Sequence, residues 1–445
     1  MKKNIDLLTE PIFPALTGLA LPIMATSLIQ MAYNLTDMAW IGQVGANAVA
    51  AVGSAGMFVW FSQGVSALAK MGGQVKTAHA LGERKYEEAG EYAQGAIQLG
   101  IFLGILYGIL TVTFRKQLIG FFNMQNSDIV RDSEIYLMIT CGLVIFSFMN
   151  VILTGLFTAE GDSKTPFKAN VVGLVCNMVL DPLLIFGWGP VPALGVSGAA
   201  YATVLSQVIV TMIFILVIRK DKILFTHVHL LRKVEGKQMK QIIRIGYPAA
   251  IQTMLYSGIG MIITRMISGF GDTAIAVQRV GSQIESISWM TADGFAMAIN
   301  SFIGQNYGGR QIQRVKDGYR TGAKIMFCWG LFGSCLLIFG AEPIFRIFIH
   351  EPDVVAKGVD YLRILGYSQM FMCEEILTVG AFSGLGKTLK ASVISNIMTS
   401  ARIPLAYFLI MTPLGLNGIW WAISLSSIVK GILYVISFER DMRKI

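Results

Sequence analysis

Three polar side chains lie on one face of the first apolar segment of the chain. Gln30, Asn34 and Asp37 are spaced i, i+4 and i+7, which on a helix places them within about 60° of one another. The segment around them, Leu16 to Gly45, is long enough to cross a bilayer. There an ionisable residue costs about 2.5 kcal/mol or more unless it faces a cavity or a partner. Asp37 is therefore the first candidate for function, and the alternative is a carboxylate near a helix end that reaches the headgroups.

A second carboxylate and two neutral polar groups are predicted at a similar depth. Asp37 and Asp181 each lie about five or six residues before the outer end of an outward-running helix, and Thr203 lies about eight residues into the next one. Asn177 shares the helix face of Asp181, one turn deeper. These oxygen donors suit a proton or a hard cation such as Na⁺, and paired carboxylates hold a proton more readily than isolated ones. For Asn177 and Thr203 the alternative is an interhelical hydrogen bond that only holds the helices together.

The composition is that of a polytopic membrane protein. Of the 445 residues, 54% are apolar and 14% are charged, whereas soluble domains carry roughly 25% charged residues. The net charge of +9 comes from Lys and Arg between apolar segments, so we expect no nucleic-acid partner. The 5 cysteines and 4 histidines lack the spacing of a metal site or a hydrolase motif, so we expect no cofactor and no enzyme.

Twelve apolar segments predict an all-α fold of twelve transmembrane helices. They lie at residues 14–41, 47–75, 93–114, 133–159, 165–187, 194–218, 241–268, 278–306, 321–343, 357–385, 389–412 and 416–438. Lys and Arg crowd the termini and alternate loops, while the loops on the opposite side carry almost none. The positive-inside bias therefore predicts a multi-pass protein of the inner, cytoplasmic membrane with both termini in the cytoplasm.

The chain repeats itself at a shift of 226 residues. The run that begins at Gly45 matches the run that begins at Gly271. The repeat predicts an N-terminal six-helix lobe, a cytoplasmic linker and a C-terminal six-helix lobe, at residues 1–218, 219–240 and 241–445. The basic linker is either a hinge or an amphipathic helix on the membrane surface.

The polar residues of the first half do not recur in the second. At the repeat shifts, Asp37, Asp181 and Thr203 correspond to three isoleucines, at positions 263, 403 and 423. Proton or cation chemistry is therefore expected in the first half alone.

The eighth segment has a polar stripe of its own. Gln278, Glu285 and Asp293 lie on one face of a helix there. Glu285 either attracts a cationic molecule, or titrates, or is clamped structurally to Arg265 or Arg279.

Further polar and aromatic side chains are candidates for a substrate cleft. Glu374 and Glu375 are adjacent in the tenth segment, and because consecutive helical residues point about 100° apart, at most one faces such a cleft. Pro22 lacks one helical hydrogen-bond donor, so it is either a moving kink or a fixed bend. The cleft residues expected from helix position are Gln30, Tyr33, Asn34, Met57, Trp60, Tyr256, Gln278, Glu285, Trp289, Asp293 and Glu374.

Several motifs together resemble those of the multidrug and toxic compound extrusion (MATE) family. They are Pro22 fifteen residues before Asp37, Gly73-Gln74 recurring as Gly304-Gln305, and Ala159-Glu160-Gly161-Asp162 before Lys164-Thr165-Pro166. The run Asn177 to Pro182 is similar to the DNA-damage-inducible (DinF-like) branch. The resemblance implies two lobes in a V around a central cleft, and a cation or proton site at Asp37, Asn177, Asp181 and Thr203.

The resemblance also implies a secondary antiporter, most simply a monomer, that exchanges small-molecule drugs or amphipathic organic cations for H⁺ or Na⁺. The family often has a carboxylate in the seventh segment, where this chain has Tyr256, and the departure favours H⁺. A flippase for a lipid or a lipid-linked sugar, built on the same two lobes, is the alternative. Membrane lipids are expected partners in either case.

Overall fold

The computed structural model describes residues 5–122, 124, 126–187, 192–221, 223–230, 232–349 and 351–444. Throughout these ranges the regular secondary structure is helical, which confirms the all-α prediction. The helices are α1 Ile12–Val44, α2 Ala46–Gly82, α3 Tyr86–Thr113, α4 Arg115–Gly120, α5 Ser127–Gly142, α6 Val144–Glu160, α7 Lys164–Ile185, α8 Gly195–Ile218, α9 Gly236–Ser268, α10 Asp272–Gly308, α11 Ile312–Phe339, α12 Ala341–Arg346, α13 Pro352–Gly366, α14 Gln369–Gly384, α15 Thr388–Ser400, α16 Arg402–Ile410 and α17 Leu416–Lys444.

Each of the twelve predicted segments coincides with one helix or with a consecutive pair of helices. The pairs are α5 with α6, α13 with α14, and α15 with α16. Within the described ranges, 8 helices are long and apolar enough to cross a membrane, and α5 and α6, which meet at a 44° bend, make a ninth span. The three other predicted spans, α9, α10 and the α13–α14 pair, are more polar, and the stripe of polar residues in α10 is part of the reason.

The sequence repeat is visible in the backbone. A shift of 226 residues superimposes the bounds of α2, α3 and α4 on those of α10, α11 and α12, with equal lengths of 37, 28 and 6 residues. Arg84 and Arg310, which are paired by the same shift, both have positive φ, 61° and 57°. A non-glycine residue in this conformation is uncommon, so its recurrence reflects a shared turn geometry.

The chain forms two compact units, which exchange the first parts of two long helices. Unit 1 comprises residues 5–6 and 25–250, and unit 2 comprises residues 7–24 and 251–444. The start of α1, with Pro22, therefore belongs to unit 2, and the start of α9, with Pro248, belongs to unit 1. These units differ from the predicted halves by the two exchanged segments, and the predicted halves describe the repeat.

Small residues and backbone hydrogen bonds seat the exchanged segments. In unit 1, Gly246 of α9 lies so close to the carbonyl oxygen of Leu68 that a Cβ atom would overlap it, and Tyr92 donates a hydrogen bond to Gln241 at 2.6 Å. In unit 2, Asn306 donates to the backbone oxygen of Leu7 at 2.9 Å. Each exchanged segment is thus packed into the unit that holds it.

The segment between the two repeats folds back onto α3. Phe225 stacks against Phe157 with ring centroids 4.7 Å apart, and the Gln94 side chain bonds the backbone at His229 and Arg232. Among the described residues of 219–235, a single 3-10 turn is the only helical structure, so the alternative of an amphipathic surface helix is wrong. Lys222 and Leu231 of the predicted linker lie outside the described residues.

Candidate functional site

One buried face of α7 carries the two polar groups predicted for this helix. Gly173, Asn177, Asp181 and Ile185 recur every four residues and are all buried, as expected for one helix face. The lack of a side chain at Gly173 lets α8 approach closely. Pro182 follows Asp181 and has no N–H, so the helix lacks one backbone hydrogen bond beside the carboxylate.

The outer half of α1 presents a matching face within unit 1. Tyr33 is 9% exposed and Ile41 is 2% exposed, and Asp37 lies between them at the same spacing of four residues. Gln30 and Asn34 lie on a different side, where they bond each other at 3.1 Å and Asn34 is exposed. The polar stripe predicted on α1 is therefore divided between two faces.

The two carboxylates meet. The side chains of Asp37 and Asp181 are in hydrogen-bonding contact, and Asn177 Nδ2 donates to Asp181 Oδ1 at 2.8 Å. Asp181 is fully buried. No donor among the described residues reaches Asp37 Oδ1 or Asp181 Oδ2, so two buried acceptors have no donor from the protein. Buried acceptors in such a position are normally satisfied, and a proton or a cation shared by the two carboxylates would satisfy both.

Three hydroxyl groups complete the site. Thr203 of α8 lies beside the hydroxyls of Tyr33 and Tyr136, and both tyrosines are close enough to feel the charges of Asp37 and Asp181. Tyr33 was predicted for the substrate cleft, whereas here it belongs to the carboxylate site. Tyr136 of α5 was not predicted, because nothing in the sequence shows which face of α5 meets α7 and α8.

Apolar side chains surround this group, which we call the carboxylate site (Tyr33, Asp37, Tyr136, Asn177, Asp181 and Thr203). Ile41, Ile185 and Val204 adjoin it and belong to one buried hydrophobic cluster. Such surroundings screen charge poorly, so two unprotonated carboxylates would repel each other strongly. The site therefore favours the binding of one positive charge.

Unit 2 has a hydrophobic core at the corresponding place. Ile263, Ile403 and Ile423, which correspond to Asp37, Asp181 and Thr203, all lie in one apolar cluster with Ile259, Ile267 and Ala406. The same backbone plan thus holds a polar site in one unit and a dry core in the other.

Glu285 of α10 is held by neutral partners. Gln369 donates to its Oε1 at 3.0 Å and Tyr361 to its Oε2 at 3.4 Å. Within the described part of the chain neither Arg265 nor Arg279 forms an ion pair with it, so the predicted arginine clamp is wrong. Both arginines lie on exposed positions of their helices.

The adjacent glutamates of α14 point to different surroundings, as the helix geometry requires. Glu375 forms a buried ion pair with Lys430 at 2.7 Å. Glu374 instead lines a groove on the side of unit 2, between α11, α14 and α17.

The remaining predicted residues are dispersed. Gln278 accepts a hydrogen bond from Trp420 at 3.0 Å, and the guanidinium of Arg402 lies over the Tyr256 ring, 5.9 Å from its centroid. Met57, Trp60, Trp289 and Asp293 occupy exposed positions on α2 and α10.

Taken with the repeat, these features define an all-helical membrane transporter with one buried ionisable site. The MatE family model matches residues 22–183 and 248–408, and the chain therefore belongs to the MatE family, whose members are transporters. The chain is similar to the probable multidrug resistance protein NorM of Thermotoga maritima, with 29% identity over 95% of this chain and 91% of that protein. It is 22% identical to the multidrug export protein MepA of Staphylococcus aureus, over 93% and 90% of the two chains.

The fold is that of solved members of the same family. A multidrug resistance MATE family transporter solved in an outward-facing conformation matches with a TM-score of 0.93 and 24% identity, over 100% of this chain and 99% of that one. The family prediction is confirmed, and the DinF-like branch stays a prediction.

Proposed function

We propose that this protein is a secondary active multidrug antiporter of the inner membrane, with both termini cytoplasmic, which exports amphipathic organic compounds in exchange for H⁺. The observation that carries the proposal is the buried contact of Asp37 with Asp181, where two carboxylate oxygens have no donor from the described protein. The similarity to NorM and MepA supports drugs, often cationic, as the cargo.

The proposed exchange needs a site whose charge differs between two conformations. A proton taken up from the outside neutralises one of the two carboxylates and favours the state that releases the drug outward. Loss of that proton on the inner side restores the repulsion between Asp37 and Asp181 and favours the state that binds a new drug molecule. The drug and the proton need only differ in their affinity for the two states.

Na⁺ is the second candidate for the coupling ion. Two carboxylates, the Asn177 side chain and the hydroxyls of Thr203 and Tyr33 offer only hard oxygen ligands, which Na⁺ also accepts. The monomeric state and an interaction with membrane lipids are part of the same proposal.

Ethidium efflux from sealed vesicles tests this function. Vesicles that contain wild type, Asp37→Asn or Asp181→Asn are energised by a pH gradient alone and then by a Na⁺ gradient alone. We expect efflux with the pH gradient in the wild type and at most background efflux in both variants. Asp128→Asn removes an exposed carboxylate at the start of α5 in the same unit and should transport normally.

Efflux that needs the Na⁺ gradient would assign Na⁺ to the same site. Full efflux by Asp37→Asn, with the variant inserted in wild-type amounts, would refute a coupling role for the carboxylate site.

A further inference from the structure

A groove of about 540 Å³ opens on the side of unit 2 between α11, α14 and α17. Its walls are almost wholly apolar and include Phe327, Phe371, Ile432 and Ile436. Phe327, Ile432 and Ile436 are each more than 40% exposed. The groove lies near the middle of α11 and of α17, and its volume is within the range of about 300–1,000 Å³ that is usual for small-molecule sites.

One carboxylate lies in this apolar groove. The Glu374 side chain has neither an ion pair nor a hydrogen bond with any described residue, whereas its neighbour Glu375 is paired with Lys430. An ionisable group inside a membrane segment is unfavourable unless it meets a partner, a cavity or water. A carboxylate without a protein partner is therefore suited to a positively charged ligand.

The fold itself does not require this carboxylate. A shift of 225 residues pairs Gly161 with Gly386, and both glycines have positive φ just after equivalent helices. The same shift places Met149 at the position of Glu374, and Met149 is 9% exposed in the hydrophobic core of unit 1. The second half thus carries a charge where the first half carries an ordinary core residue.

The groove contains one other charged residue. Lys324 of α11 is exposed and lines the groove, and it forms no ion pair with Glu374 within 4 Å. Its long aliphatic stem can line an apolar wall while its ammonium group turns to polar surroundings. From α17 only apolar residues face the groove.

We infer that this groove binds an amphipathic ammonium compound from the bilayer, with the apolar chain between α11 and α17 and the cationic group beside Glu374. Charge complementarity identifies the ligand class, because the apolar walls alone would accept any acyl chain. The inference is independent of the proposed coupling chemistry, since every residue of the groove belongs to unit 2 and the carboxylate site belongs to unit 1.

Photolabelling of the full-length protein in lipid nanodiscs tests the site. The probe is a long-chain alkyl trimethylammonium with a diazirine in its chain, and the control probe is the neutral alcohol with the same chain. We expect the cationic probe to label peptides that contain residues 323–328 and 431–436, with displacement by excess dodecyltrimethylammonium. The neutral probe should label these peptides about tenfold less, the ratio expected for one partly buried charge pair.

Variants separate charge from shape and from transport. Glu374→Gln should lower labelling by the cationic probe to the level of the neutral probe, and Glu374→Asp should retain most of it. Asp37→Asn should label the groove like the wild type, so failure of the coupling proposal is distinguishable from failure of this one. Equal labelling by the two probes, or unchanged labelling of Glu374→Gln, would show a groove that holds only lipid chains and would overturn the inference, as would labelling elsewhere alone.

Discussion

The buried ion pair of unit 2 allows a prediction with a definite size. Lys430 Nζ lies 2.7 Å from Glu375 Oε1, and the two side chains are 2% and 11% exposed. Removal of one partner from a buried pair leaves an uncompensated charge, which typically costs about 3–5 kcal/mol. Replacement of both partners by apolar residues of similar volume is often neutral.

A third charge makes the two single variants unequal. Arg402 is 9% exposed, bonds Ser426 at 2.7 Å and Ser427 at 2.9 Å, and lies close enough to repel Lys430. Glu375→Gln leaves two buried cations without their counter-charge, so we expect a loss near 5 kcal/mol. Lys430→Met also removes the repulsion from Arg402, so we expect a loss near 3 kcal/mol.

Thermal unfolding of the purified protein in detergent, followed by far-UV circular dichroism, measures these differences. Losses of this size correspond to a fall in Tm on the order of 10 °C. Lys430→Met combined with Glu375→Leu should unfold closer to wild type than either single variant. Additive losses in that double variant would refute the reasoning, because they would mean that the pair has no coupling energy.

An exposed ion pair of equal length is the control. Arg346 and Glu342 also lie 2.7 Å apart, but their side chains are 63% and 55% exposed. Solvent screens such a pair, so Glu342→Gln should change stability by no more than about 0.5 kcal/mol.

Two other substitutions test the packing of α9 and the hydroxyls of the carboxylate site. Gly246→Ala should destabilise unit 1 by about 2 kcal/mol or more in the same unfolding assay, because its Cβ would overlap the Leu68 carbonyl, whereas Gly258→Ala on the same helix meets open space and should be neutral or slightly stabilising. Thr203→Val removes the hydroxyl beside Tyr136 and should weaken the apparent ion affinity in transport assays about threefold, while Thr203→Ser should restore it; equal behaviour of Val and Ser would contradict a role for the hydroxyl.

Local periodicity explains what the sequence predicted about the site. Asn177 and Asp181 are one helical turn apart, and the structure has them hydrogen-bonded at 2.8 Å. Asp37 could be matched to Asp181 because both lie at a known distance from helix ends, which requires only the helical rise per residue. The three isoleucines of unit 2 followed from the repeat in the same way.

Features that depend on packing between distant helices were not predictable. Tyr136 enters the site through the rotation of α5 against α8, and Gln369 reaches Glu285 across two helices. The exchange of the starts of α1 and α9 between units likewise depends on close contacts such as that of Gly246 with Leu68. One sequence does not specify such pairings, because many residues could satisfy them equally well.

Proton release on drug binding is the most direct test of the carboxylate site. Ethidium is added to purified protein in a weakly buffered, Na⁺-free solution that contains a pH-sensitive dye, with wild type and Asp37→Asn measured side by side. The account predicts that ethidium releases protons from the wild type and none from Asp37→Asn. Equal proton release from the two proteins would contradict it, because the exchanged proton would then come from another site.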